Sequence, residues 1–241
     1  REFRQEDPEP VAVTGGWIVA WFDFREDTSG DVWAQKFDVN GIAQWAANNF
    51  TGVRVDAHPS VIMEVTLRAV HDGSGGAIIA WQDDRRDQAD LIVQHVDANG
   101  NIWSQSLMIT DVDNGQDGIT ADTDGNGNML VAWKDGRNDP VAPDIYAAKV
   151  TPDRQLPWGN VQVCGAAGEQ SAPKLCPDGA NGCYISWVDN RNGEEDLYTQ
   201  RVNGNGQGQW TSEGVPVCTA TYNQNGVRVA IVEGDPAGKE Q

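Results

Sequence analysis

Residues 132–137 read AWKDGR, and the same frame returns as AWFDFR at 20–25, AWQDDR at 80–85 and SWVDNR at 186–191. Each copy sets an aspartate two residues after a tryptophan and an arginine two further on: Trp21, Asp23 and Arg25; Trp81, Asp83 and Arg85; Trp133, Asp135 and Arg137; Trp187, Asp189 and Arg191. The acid, the base and the nearby glycine would suit a catalytic loop, but a catalytic loop occurs once per site, whereas a structural device recurs with every structural unit. The tryptophans stand 60, 52 and 54 residues apart, which is the period of a repeat architecture rather than of four independent domains.

Laid out around its tryptophan, each unit divides into four short strands. In the second unit SVIMEVTLRAV (60–70) leads into the turn HDGSGG, then come AIIAWQD, a polar loop, LIVQHVD, the turn ANG and NIWSQSLMI. Asn40-Gly41, Asn99-Gly100 and Asn203-Gly204 supply the positive φ that tight hairpins need, whereas TPDRQ (151–155) in the third unit predicts a different, wider turn. A second tryptophan set, Trp45, Trp103, Trp158 and Trp210, is expected in the fourth strands, and Asp31, Asp90, Asp144 and Asp196 open the third. Modules of this kind cannot each bury both faces alone, so they close into a ring. The expected fold is an all-β propeller forming one domain over 1–241, with an open solenoid as the competing architecture. The repeats run over about 5–55, 56–110, 111–165 and 166–219, and a fifth begins at 220–241. A fifth unit that stops before its tryptophan, like a first residue that is not Met, suggests part of a longer array. The repeat accounts for eight of the ten tryptophans as packing between blades and makes the Asp and Arg of each frame a local ion pair.

With 17 basic and 36 acidic residues the chain carries a net charge of −19, which disfavours nucleic acid and anionic membrane as partners. No apolar run is long enough to span a bilayer, and REFRQEDPEP lacks the apolar stretch of a signal peptide. Cys176 and Cys183 flank PDGANG, so a hairpin there would bring the two thiols face to face, open to a disulfide; the alternative is small buried hydrophobes. Cys164 and Cys218 sit at matching places in successive repeats, VQVC and VPVC, with no partner indicated.

Function is expected on the rim, where the loops between second and third strands vary and carry Glu26, Asp27, Asp87, Asp139, Glu194 and Glu195. In DTDGNGN, Asp122, Asp124, Asn126 and Asn128 alternate as oxygen ligands do in Ca2+ loops, although Asp124 also aligns with the ordinary Asp-Gly turns at Asp72 and Asp178. His58, His71 and His95 lack zinc-like spacing, and neither a Gly-x-Ser-x-Gly elbow nor a phosphate loop is present.

The stretch EQSAPKLCPDGANGCYISWVDNRNGEEDLYTQRVNGNGQGQWTSEGVPVC (169–218) resembles a repeat of bacterial secreted and cell-surface proteins, with W-x-D-x-R, D-x-Y-x-Q and G-x-x-x-W at fixed intervals. The resemblance covers nearly the whole chain and implies a β-propeller in an extracytoplasmic setting, in a group whose activity is mostly unassigned. The Ser-x-Asp-x-Gly-x-Thr-Trp box of sialidase propellers is absent. The leading expectation is a non-enzymatic structural or protein-interaction module of a surface or secreted assembly. The first alternative is a lectin-like glycan binder using Trp17 or Trp33 to stack on sugars. The second is a glycoside hydrolase or lyase using a carboxylate pair, which predicts one non-repeated pair of acids in the central cleft.

Overall fold

The structure, a computed structural model, describes residues 4–25, 30–45, 52–56, 66–83 and 89–230. It is all-β, with four four-stranded antiparallel sheets and no helix among the described residues. The first blade holds β1 (Gln5–Val13), β2 (Gly16–Asp23), β3 (Asp31–Asp38) and β4 (Val53–Asp56); the second holds β5 (Leu67–His71), β6 (Ala77–Asp83), β7 (Asp90–Val96) and β8 (Leu107–Met108). The third holds β9 (Gln116–Thr123), β10 (Met129–Asp135), β11 (Asp144–Val150) and β12 (Val161–Cys164); the fourth holds β13 (Gln170–Pro177), β14 (Cys183–Asp189), β15 (Asp196–Val202) and β16 (Val215–Cys218). Strand order within each sheet follows chain order, and β1, β5, β9 and β13 touch one another in succession, so the first strands line an axis and the fourth strands face outward. This is the blade arrangement of a β-propeller.

The second strands explain why the sheets stack. On β2, Ile18, Ala20 and Phe22 meet Leu67, Ala77, Ile79 and Trp81 of the next blade in one core. Ile78 and Ala80, on the other face of β6, join Met129, Val131 and Trp133; Leu130 and Ala132 join Cys183, Ile185 and Trp187. Because both faces of these strands are covered, AIIAW and MLVAW are continuous apolar runs rather than alternating ones. Trp81, Trp133 and Trp187 are fully buried between blades, while Trp21, on the free face of the first blade, is half-buried.

The repeated Asp and Arg fasten the end of each second strand. Asp135 accepts the Trp133 indole N–H at 2.6 Å and the Arg137 backbone N–H at 2.9 Å, and Arg137 reaches it from Nε (2.9 Å) and Nη2 (2.5 Å). Asp189 repeats the set with Trp187 and Arg191. Asp23 bonds Trp21 and Arg25, and Asp83 accepts the Trp81 indole N–H at 3.4 Å; Arg85 lies outside the described residues. Each arginine then lies flat on a third-strand ring: Arg25 on Trp33, Arg137 on Tyr146 and Arg191 on Tyr198, at 4.4, 4.1 and 3.9 Å from the ring centre.

A second fastener joins blade to blade. The indole N–H of Trp45 donates to the Ala98 carbonyl at 3.2 Å, Trp103 to Pro152 at 2.8 Å and Trp158 to Gly204 at 2.9 Å, in each case on the turn between third and fourth strands of the following blade. These tryptophans precede the fourth strands rather than lying in them as the repeat suggests. The turn itself starts at Asp38, Asp97 or Asn203, whose side chain accepts two backbone N–H groups, and ends on a glycine with positive φ: Gly41, Gly100 or Gly206. In the last unit the positive φ therefore falls on Gly206, not Gly204. TPDRQ forms the same turn, not a wider one: Thr151 stands for the leading Asp or Asn, and Arg154 takes φ 68° where the others have glycine.

Two sequence readings are corrected here. Cys176 pairs with Tyr184 and Cys183 with Pro177, so the two cysteines are one register step apart and point to opposite faces of the sheet. Both are free thiols, and burial raises the pKa of each; it also pushes that of Cys164 up to about 12. The calcium reading fails because the carboxylate of Asp124 is already engaged. It accepts the Asn126 and Asn128 N–H groups and pairs with Lys149 Nζ at 2.6 Å, as Asp72 pairs with His95 and Asp178 with Arg201. Among the described residues no group of three or more acids, histidines or cysteines gathers around a metal-sized space.

Burial works against the charge on Asp23, Asp72, Asp124, Asp178 and Asp189, but hydrogen bonds from their basic or indole partners and from backbone N–H groups outweigh it and hold all five pKa values low. A depressed folded pKa contributes stability above the unfolded value of about 3.9 that disappears as pH falls through the folded value, so the melting temperature should hold at neutral pH and drop steeply below about pH 4. A flat profile from pH 6 to 3 would show that these carboxylates do not carry the fold. At Gly206 an added Cβ would also lie 2.8 Å from Trp158 Cγ, whereas at Gly179, which has positive φ too, it would meet nothing. Gly179→Ala should cost about 1–2 kcal/mol from backbone strain alone, and Gly206→Ala clearly more, read by urea unfolding. Equal costs would mean that the tryptophan latch adds nothing.

Candidate active site

The axis is lined by the first strands, and one position on them differs from blade to blade. In β1, β9 and β13 the residue four beyond the leading glutamine (Gln5, Gln116, Gln170) lies opposite the residue that precedes the repeat tryptophan: Glu9 opposite Ala20, Thr120 opposite Ala132, Lys174 opposite Ser186. Arg68 lies opposite Ala80 and so holds this place in the second blade. Arg228 holds it four residues after Gln224, whose backbone N–H bonds the Glu195 carbonyl as that of Gln170 bonds Pro143 and that of Gln116 bonds Ala89. Glu9, Arg68, Thr120 and Lys174 are half-buried and Arg228 is exposed.

The glutamines frame this position from above. The side-chain N–H groups of Gln116, Gln170 and Gln224 donate back to carbonyls of the loop just before them, and the carbonyl oxygens of all three side chains are buried without a partner. The first strand starts beside a cleft of about 390 Å³ lined by Gln5, Glu6, Pro8, Val19, Trp21 and Arg25.

The electrostatics at the axis set it apart from the fasteners. Burial raises the pKa of Glu9, and the nearby charge of Arg68 and a hydrogen bond from the Ala69 backbone N–H offset this only in part. Lys174 is held below the usual lysine range, first by burial and then by Arg68 and Arg228. Arg68 and Lys174 belong to blades that are not adjacent, and both hold the same register position on first strands that line the axis. A carboxyl whose pKa is raised by burial is better suited to donate a proton than the ion-paired aspartates, whose pKa values are lowered.

The rim predicted from sequence does not gather into such a site. Glu26, Asp27 and Asp87 lie outside the described residues. Asp139 caps its own loop at Val141, the Glu194 carboxylate accepts the Tyr222 backbone N–H, and the Glu195 backbone N–H donates to the Asn223 side chain. Trp33 is 9% exposed and covered by Arg25, and Trp17 stacks on Phe37, so Trp33 presents no open face to a sugar. Sequence reading passed over Glu9 because it lies in DPEP, where nothing repeats; alignment of the first strands on their glutamines is the signal that finds it.

No protein-family model matches the chain, and no curated protein matches it. Solved structures match through the fold. A Hadza microbial sialidase is 13% identical with a TM-score of 0.51, over 87% of this chain and 47% of its own. An endo-arabinase from Bacteroides thetaiotaomicron is 11% identical with a TM-score of 0.51, over 90% and 82%. A polysaccharide lyase, an ulvan lyase bound to a GlcA(1-4)Rha3S repeat, is 10% identical with a TM-score of 0.56, over 87% and 54%. The chain thus spans about half the length of the sialidase and of the lyase. A repeat β-propeller fits, and the resemblance to secreted bacterial repeat proteins holds at the level of fold. The expectation of a non-enzymatic structural or interaction module is overturned, because the neighbours with this architecture are carbohydrate-processing enzymes.

Because its folded pKa is raised, Glu9 favours folding only at low pH, and that contribution is lost as pH rises through the raised value. Glu9→Gln removes the buried charge, so at pH 7 the variant should melt no lower than the parent. A marked drop in melting temperature would instead make Glu9 a scaffold residue.

Proposed function

We propose that the chain forms the carbohydrate-processing propeller of a glycoside hydrolase or polysaccharide lyase, with Glu9 as the proton donor. The observation that carries this reading is the place of Glu9: a carboxyl with no acidic counterpart in the other blades, partly buried at the axis and raised in pKa. Both reaction classes cleave the bond to a leaving sugar, and both need a proton delivered to the departing oxygen. Burial that raises the pKa of a carboxyl shifts it toward that role. The carbohydrate enzymes among the fold neighbours support the reading by analogy alone. An extracytoplasmic setting belongs to the same proposal, since polymeric glycans lie outside the cell, and glycans take the place of protein partners.

The test is turnover on a panel of arabinan, sialylated oligosaccharides and polyuronates, read as new reducing ends and as unsaturated-sugar absorbance. One member should be cleaved, and Glu9→Gln should lower kcat by about 10²- to 10⁴-fold with the fold intact. Cleavage undiminished in Glu9→Gln would reject the assignment.

A further inference from the structure

The chain is strongly acidic, yet its axis is basic. At the one variable position of the first strands stand Arg68 and Lys174 against a single carboxylate, Glu9, and Arg228, on the segment after the fourth blade, adds its charge beside Lys174. The other acids of the described first strands stand away from this position: Glu6 pairs with Arg4, Asp117 with Lys134, Asp122 accepts the Thr123 backbone N–H, and Asp7 is exposed in the bulge between Glu6 and Glu9. Several cations of the scaffold, by contrast, have a dedicated carboxylate, as Arg137 has Asp135, Arg191 has Asp189, Lys149 has Asp124 and Arg201 has Asp178. The Arg68 guanidinium donates to the carbonyl of its own neighbour, Leu67, and pairs with no carboxylate among the described residues. Two half-buried cations from separate blades and the exposed Arg228 repel one another, and a site that gathers them is stabilised when an anion enters.

We propose that the central channel binds the acidic group, carboxylate or sulfate, of an anionic polysaccharide through Arg68, Lys174 and Arg228. The proposal rests on the carbohydrate reading above and names its substrate class. Guanidinium groups suit such anions because their planar forks donate two parallel hydrogen bonds, and Lys174 adds a point charge. The net charge of −19 does not exclude a polyanion, since at physiological ionic strength that field is screened within about 8 Å while the channel cations act at contact. The low pKa of Lys174 fits a site whose counter-ion arrives with the ligand; anion binding should raise it.

The test is direct binding, measured by calorimetry with the full chain. The ligands are a galacturonate oligosaccharide, a sulfated galactan oligosaccharide and a neutral arabinan oligosaccharide of equal length. At least one acidic ligand should bind about tenfold or more tightly than the neutral one, with affinity falling as NaCl rises; the tighter of the two names the group recognised. Arg68→Gln combined with Lys174→Gln should abolish that preference without lowering the melting temperature, and Lys174→Arg should retain it. Equal affinity for the neutral ligand, or a preference that survives in the double variant, would overturn the proposal. Selective binding without turnover of any glycan would uphold it while rejecting the enzymatic reading; turnover of a neutral glycan with no acidic preference would do the reverse.

Discussion

A carboxylate taken out of water is costly unless its lone pairs are met, and the architecture depends on how that demand is answered at Asp23, Asp83, Asp135 and Asp189. Each is essentially buried at the end of a second strand, where it takes up the indole N–H of the tryptophan two residues before it. In the three blades whose arginine is described, Asp23, Asp135 and Asp189 also bind that arginine, which covers a third-strand aromatic ring. Tryptophan orientation, strand end and loop path are therefore coupled through one residue. The oriented tryptophan can then pack flat against the preceding blade, which turns a set of separate sheets into a stack.

The same logic separates scaffold from chemistry. Residues that hold blades together repeat, since every interface is built alike, and their charges are paired locally. The axis has no such duty: the first strands bury their apolar residues against the second strands and leave one position per blade facing the centre. Freed from packing, that position varies, and its variation puts an unmatched carboxyl among unmatched cations. Asp189 is fully buried and Glu9 half-buried; a basic partner at 2.5 Å and its hydrogen bonds lower the first, whereas burial, only partly offset by the Arg68 charge, leaves the second raised.

Much of the scaffold was legible in order of residues alone. The spacing of Trp21, Trp81, Trp133 and Trp187 exposes the repeat, and the continuous run AIIAW declares a strand buried on both faces. Asp124 could be read either as a calcium ligand or as a turn residue, because the sequence of its loop suits both. The deciding group, Lys149, sits on a different strand. TPDRQ looked unlike the Asn-Gly turns, yet the backbone drives Arg154 into the left-handed region to keep the same hydrogen bonds. Cys176 and Cys183 illustrate the limit most sharply, since one step of register moves a side chain from one face of the sheet to the other, and no spacing rule resolves a single step.

The amino-acid order by itself determined the blade: its period, its tryptophans and the Asp–Arg fasteners, because each of these interactions closes within a few residues or between equivalent strands. Only the tertiary structure decided what meets at the axis. Glu9, Arg68, Lys174 and Arg228 come from four different units, and nothing in any one unit marks them. They become neighbours because stacking the sheets brings the first strands together around a common centre, where charges from separate blades act on one another.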